Sequence, residues 1–139
     1  RLAAEGVTLD AFRRTLEDFA ESWLAVLTSD VSIALNRLAV SHAANGESNL
    51  GNIVLRNGPL AMRSRLLPIF EIGFSNGFIN RKGEDAFRLL FGLVVADTQI
   101  RCLLGEDSED PKRQNTKFAR EAVSRFIALC KFDQKQRII

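Results

Sequence analysis

Glu84-Asp85-Ala86-Phe87-Arg88-Leu89-Leu90-Phe91-Gly92-Leu93-Val94-Val95-Ala96-Asp97-Thr98-Gln99-Ile100-Arg101-Cys102-Leu103-Leu104 carries apolar side chains around nearly the whole circumference of a helix. Glu84 and Asp85 open it, where the helix dipole favours acids, and Gly105 closes it. Leu89, Leu93, Ile100 and Leu104 point one way. Phe87, Phe91, Val94, Val95 and Cys102 wrap much of the rest. A helix resting on a single core needs only one apolar stripe. Residues 84–104 are therefore expected to be buried on more than one side. Gly92 and Ala96 are small and four apart, so a neighbouring backbone can come close there. Arg88, Asp97 and Arg101 interrupt the run, so it does not read as a membrane span.

Working outward, the C-terminal segment 116–131 is a second helix with two adjacent apolar faces. One is Phe118, Ala122, Phe126 and Leu129; the other is Ala119, Val123, Ile127 and Cys130. Two such helices paired across a two-fold axis make an intermolecular four-helix bundle. A central helix inside a monomer is the alternative. Between them, residues 106–116 are polar and contain Pro111, which reads as a loop.

Toward the N-terminus, Thr8 is a plausible cap for a helix over 8–28. Leu9, Phe12, Leu16, Phe19, Trp23 and Leu27 recur there at spacings of three and four. Ser29 or Asp30 caps a helix over 30–45, and Glu47-Ser48-Asn49 reads as a turn. A third helix over 50–79 meets Asn57-Gly58-Pro59, and it contains Pro68. Proline lacks the amide hydrogen, so a kink is expected at each point. Residues 1–6 read as the end of an earlier helix closed by Gly6. The fold class is all-α in a single domain, 1–139: five main helices, the third kinked.

The totals exclude several classes. A chain of 139 residues with 46% hydrophobic side chains supports one packed core rather than disorder. Its 19 basic and 17 acidic residues are too balanced to imply a polyanion partner. Cys102 and Cys130 lie in apolar helices and form neither a disulfide framework nor a metal site. Reduced thiols fit a cytoplasmic protein. No nucleophile motif, phosphate loop or metal-ligand spacing is present, so no catalytic residue, metal or cofactor is assigned and the chain is not read as an enzyme. His42 is the one histidine and lacks a second for a metal site. Ser41 adjoins it in sequence but not on a helix face.

The broken third helix is the strongest internal hint of function. Helices bent away from their neighbours leave space, and Trp23, Met62, Phe70 and Phe74 can line an apolar pocket there or fill the core. His42 and Arg56, the latter just ahead of the break, are the polar candidates beside it. Asp97 and Arg101 are four apart and suited to a structural ion pair.

Phe91-Gly92-Leu93-Val94-Val95-Ala96-Asp97-Thr98-Gln99-Ile100-Arg101-Cys102-Leu103-Leu104-Gly105 resembles the penultimate helix of TetR-type transcriptional repressors, in the AefR-like class of C-terminal domains. Arg56-Asn57-Gly58-Pro59 is similar to that class's arginine-x-glycine-proline break, and Phe74-Ser75-Asn76-Gly77-Phe78-Ile79 to its glycine-containing helix end. The resemblance implies a regulatory domain that binds a small apolar or amphipathic effector and forms a homodimer. It makes Trp23, Leu27, Leu38, Phe70 and Phe74 pocket candidates. It puts Phe87, Phe91, Val94, Val95, Cys102, Phe118, Ala122, Phe126 and Leu129 at the dimer interface. It also implies that 1–6 ends a linking helix and that operator DNA is met only through an N-terminal helix-turn-helix unit not present in these residues. A structural dimerisation module without a ligand is the alternative reading.

Overall fold

The computed structural model describes residues 6–45 and 49–138. The expected end of a linking helix at Arg1–Glu5, and the Gly46–Ser48 part of the turn after residue 45, lie outside them. Among the described residues the fold is all helical: α1 (Leu9–Leu27), α2 (Asp30–Asn45), α3 (Leu50–Asn57), α4 (Pro59–Ser75), α5 (Gly83–Val95), α6 (Thr98–Leu103) and α7 (Pro111–Ile138).

Local chemistry sets the ends of the first two helices. The Thr8 hydroxyl accepts the Ala11 N–H at 3.1 Å and starts α1. Ser29 does the same for the Ser32 N–H at 3.2 Å and starts α2. Phe12, Leu16, Ala20, Trp23 and Leu24 then form the buried stripe of α1. That stripe packs on α7, whose Ala119, Ala122, Val123, Phe126, Ile127 and Cys130 are all buried. α5 closes the core with Ala86, Phe87, Leu90, Val94 and Val95. A fully buried Leu or Phe in this layer contributes about 1.5–3 kcal/mol relative to exposure.

The kink expected in residues 50–79 is the α3–α4 junction. Pro59 has no N–H to offer the carbonyl one turn back, so α3 stops and Pro59 becomes the first residue of α4. Pro68 does not end α4, which runs through it to Ser75. There the chain turns in a Schellman arrangement. Gly77 has φ +74°, its N–H donates to the Phe74 carbonyl at 3.1 Å, and the Phe78 N–H donates to the Gly73 carbonyl at 2.9 Å. Phe78 and Ile79 therefore leave the helix and fold back onto the core.

Two expected helix boundaries differ from the structure. Residues 84–104 are not one helix: the chain breaks at Ala96, whose φ is +43° and ψ −123°. The Ala96 N–H closes α5 on the Gly92 carbonyl, and the Arg101 N–H opens α6 on the Asp97 carbonyl, each at 3.0 Å. Two side-chain devices stabilise the short α6. Arg101 pairs with Asp97 at 2.6 Å and with Glu106 at 2.8 Å. Arg37 of α2 donates to the Leu103 carbonyl at 3.1 Å and the Cys102 carbonyl at 3.2 Å, placing a cation on the negative end of α6. The last helix starts at Pro111 rather than at 116. Asp110 caps it, its carboxylate accepting the Arg113 N–H at 3.2 Å, and Pro111 takes the first-turn position that needs no donor.

Candidate functional site

The aromatic chain of the core runs to one end of the molecule. Trp23 is 2% exposed, lies nearly parallel to Phe87 at 6.2 Å, and meets Phe91 at 5.1 Å and Phe19 at 6.5 Å between ring centroids. Beyond Trp23 the packing stops. An apolar groove of about 720 Å³ opens between α2, α3, the start of α4 and the α5–α6 break. That volume is within the range of sites that hold small organic ligands, about 300–1,000 Å³.

The groove exists because its walls are short of partners. α3 has no fully buried residue, and Ile53 and Leu55 are about half exposed at 52% and 48%. Among the described side chains of α2 Ala39 alone is buried, while Val31, Leu35 and Val40 stay open to solvent. The break at Gly58-Pro59 swings α4 away from α3 and leaves Met62 facing the space. Trp23, Phe91 and Val95 line it from the core side.

Of the residues expected at a pocket, Trp23, Leu27 and Met62 line this groove. The other five do not. Phe70 is fully buried in the core, 5.7 Å from Phe126 between ring centroids. Phe74 sits at the far end of α4, 41% exposed, with the Lys82 ammonium 4.9 Å above its ring. Leu38 is 47% exposed on another face of α2, Arg56 is exposed on α3, and His42 is half-buried outside the groove. α4 explains the first two: only its first turn reaches the space, Phe70 lies where the stripe enters the core, and Phe74 lies at the opposite end of the helix.

The residues expected at a dimer interface are also redistributed. Phe87, Val94, Val95, Ala122 and Phe126 are buried within their own chain. Cys102 and Phe118 are half-buried beside a second, polar hollow, and Leu129 is exposed at 39%. Phe91, half-buried, belongs to the groove wall. Helical spacing identifies the apolar residues but does not show which of them α1, α4, α5 and α7 cover within one chain.

The sequence reading missed Leu35, Asn36, Ile53 and Gln99. A usable signal was present for α2, which carries Val31, Ile33, Leu35, Leu38 and Val40 on several faces with too little partner surface to cover them. Gln99 had no such signal, because its direction depends on the Ala96 break.

The polar hollow, about 640 Å³, lies on the other side of α6 and includes Asp30, Asp97, Arg101, Glu106 and Asn115. The Arg101 hydrogen bond holds the Asp97 carboxyl below the usual carboxylate range, and the two carboxylates hold the Arg101 guanidinium above its own. Burial, then the charges of Glu106 and Asp107, push the Cys102 thiol up. Asn115 is 5% exposed and donates to the Thr28 hydroxyl at 3.2 Å. Asp97, Arg101 and Glu106 satisfy one another, as do Asn115 and Thr28. Among the described residues no cluster of ligating side chains suits a metal ion, and no single helix is long and apolar enough to cross a membrane.

The sequence and the fold accord with one family. The C-terminal domain of AefR-like transcriptional repressors matches residues 14–130. The chain belongs to that TetR-type regulator family. A solved TetR transcriptional regulator from Agrobacterium tumefaciens superposes with a TM-score of 0.77 and 36% sequence identity. The match covers 88% of this chain and 62% of that regulator. No curated protein matches. The TetR-type domain therefore belongs to a class of transcriptional regulators, and the groove beside Trp23 is an unfilled apolar space within it.

Proposed function

We propose that this TetR-type domain binds a small, largely apolar effector in the groove beside Trp23 and forms a homodimer. In the whole protein, it would pass the state of that groove to operator DNA through a helix-turn-helix unit. The observation that carries the reading is the groove itself. A buried indole, half-exposed aliphatic walls and a proline-broken helix leave about 720 Å³ beside an otherwise close-packed core. Leaving that much apolar surface uncovered forgoes stability that a better-filled core would have.

The coupling needs only differential affinity. An effector that prefers one arrangement of α2, α3 and α6 shifts the population toward it, and a few kcal/mol suffices for regulation. Arg37 hydrogen-bonds α2 to the end of α6 and so links these two walls. The dimer contact falls on the outer face of α5 and α7, where Leu89, Leu93 and Phe118 are half-buried, Leu129 is exposed, and Gly92 has open space in front of it. This reading replaces Phe87 and Phe126 at the interface with residues that their own chain leaves uncovered.

A thermal-shift screen of apolar and amphipathic small molecules tests effector binding. A ligand at a hundred times its dissociation constant adds about 2.7 kcal/mol. Ala39→Phe, which places a ring in the groove from α2, should abolish that stabilisation. Undiminished stabilisation in Ala39→Phe would move the site elsewhere.

A further inference from the structure

The groove has a property that narrows its ligand. None of its lining residues carries a charge: its polar members are serines, asparagines and one glutamine. Two of the amides have spent their donors internally. Asn36 Nδ2 donates to the Ser32 carbonyl at 2.8 Å and the Ser32 hydroxyl at 3.3 Å, and Asn57 Nδ2 donates to the Ile53 carbonyl at 2.8 Å. Gln99 differs. It is half-buried, it lines the groove, and among the described residues no hydrogen bond holds its side-chain amide.

The α5–α6 break places Gln99 there. Ala96 takes the positive φ, the helix restarts at Asp97, and α6 becomes a partition. Thr98, Arg101 and Cys102 face the polar hollow while Gln99 faces the apolar groove. The charged groups of α6 are thereby kept on the far side. Asp97 and Glu106 are engaged with Arg101, outside the groove.

An ion held against these walls would lose part of its hydration and find no counter-charge among the lining residues, which disfavours it. A neutral hydrogen-bonding group loses much less and can exchange bonds with Gln99, which offers both donors and an acceptor. The nearby aromatic wall of Trp23 and Phe91 favours a ring or other rigid hydrocarbon body. We propose that the effector is an uncharged molecule with an apolar body and at least one hydroxyl, carbonyl or amide group, and that Gln99 is the residue that reads that group. The proposal rests on the groove being the ligand site.

The test uses four probes of one shape: para-butylbenzyl alcohol, para-butyltoluene, para-butylbenzoate and para-butylbenzylammonium. Affinities are measured by calorimetry on the wild-type domain and on Gln99→Leu. The alcohol should bind at least tenfold more tightly than either ion. Gln99→Leu should weaken the alcohol about tenfold while leaving the hydrocarbon unchanged or tighter. Equal or tighter binding of benzoate or ammonium overturns the neutral-ligand inference but leaves the groove as the site. Loss of both alcohol and hydrocarbon in Gln99→Leu, with the fold intact by circular dichroism, overturns the role of Gln99. If none of the four binds, the ligand-site reading fails and takes this inference with it.

Discussion

Gly73→Ala sets two effects of opposite sign against each other. In an exposed helix interior the change gains about 0.5–1 kcal/mol, because alanine loses less backbone entropy. Here Gly73 is buried on α4 against Phe12 of α1. An added Cβ would stand 2.6 Å from Phe12 Cε1 and closer still to Cζ. Carbon pairs rest at about 3.5–4.0 Å, so the ring would have to retreat by roughly 1 Å. Phe12 is 0% exposed and has Phe78 behind it at 5.6 Å between centroids, so the retreat displaces other core side chains. Overpacking of this kind costs about 1–3 kcal/mol. The repulsion wins, and the net loss should be about 1–2 kcal/mol. Urea unfolding reads it as a lower midpoint at unchanged slope. The same change made in a Phe12→Leu background should be neutral or stabilising, because the far end of the ring is gone. A more stable Gly73→Ala in the native background would refute the packing of α4 on α1, and with it the position of the groove wall that begins at Pro59.

Three further outcomes are expected. Because Arg101 lowers the folded-state pKa of Asp97, the pair's contribution is present above the unfolded carboxylate range and is lost as pH falls through the lowered folded value. Asp97→Asn should therefore reduce stability at neutral pH by a small amount and erase that part of the acid-side decline, read from melting temperatures across pH. Iodoacetamide should label Cys102, half-buried with its thiol pushed up, only slowly at neutral pH, and Cys130, fully buried, only on unfolding; mass mapping of the labelled sites checks the order. Gly92→Arg should leave the monomer folded and shift the sedimentation mass from dimer to monomer, since nothing in its own chain occupies the space in front of Gly92; an unchanged dimer would move the contact off α5.

Much of this architecture was legible because helices announce themselves locally. The spacing of Phe12, Leu16 and Trp23, the Thr8 cap and the Gly58-Pro59 break are properties of neighbouring residues, and each appears where it was expected. Pro111 reads as a loop residue in the sequence because a first-turn proline and a loop proline look alike there; the Asp110 cap distinguishes them. The Ala96 break was not legible at all. No glycine or proline marks it, and the α6 that follows is held by Arg37, distant in sequence, and by the Asp97–Arg101–Glu106 cluster. The apolar groove is legible at Trp23, Leu27 and Met62 and not at Gln99 for the same reason: the first three follow from helix periodicity, and the last from a tertiary restraint. Phe70 and Phe126 show the limit of counting apolar faces, which tells how many partners a helix needs but not whether they come from its own chain.

The most direct test of the central claim uses the single tryptophan, which lies in the groove wall. Titration of the domain with a neutral, non-absorbing apolar ligand, such as a cyclic alcohol, should change Trp23 emission saturably at one site per chain, and Ala39→Phe should remove the response. A ligand that stabilises the domain while leaving Trp23 emission unchanged would contradict the assignment of the groove as the effector site.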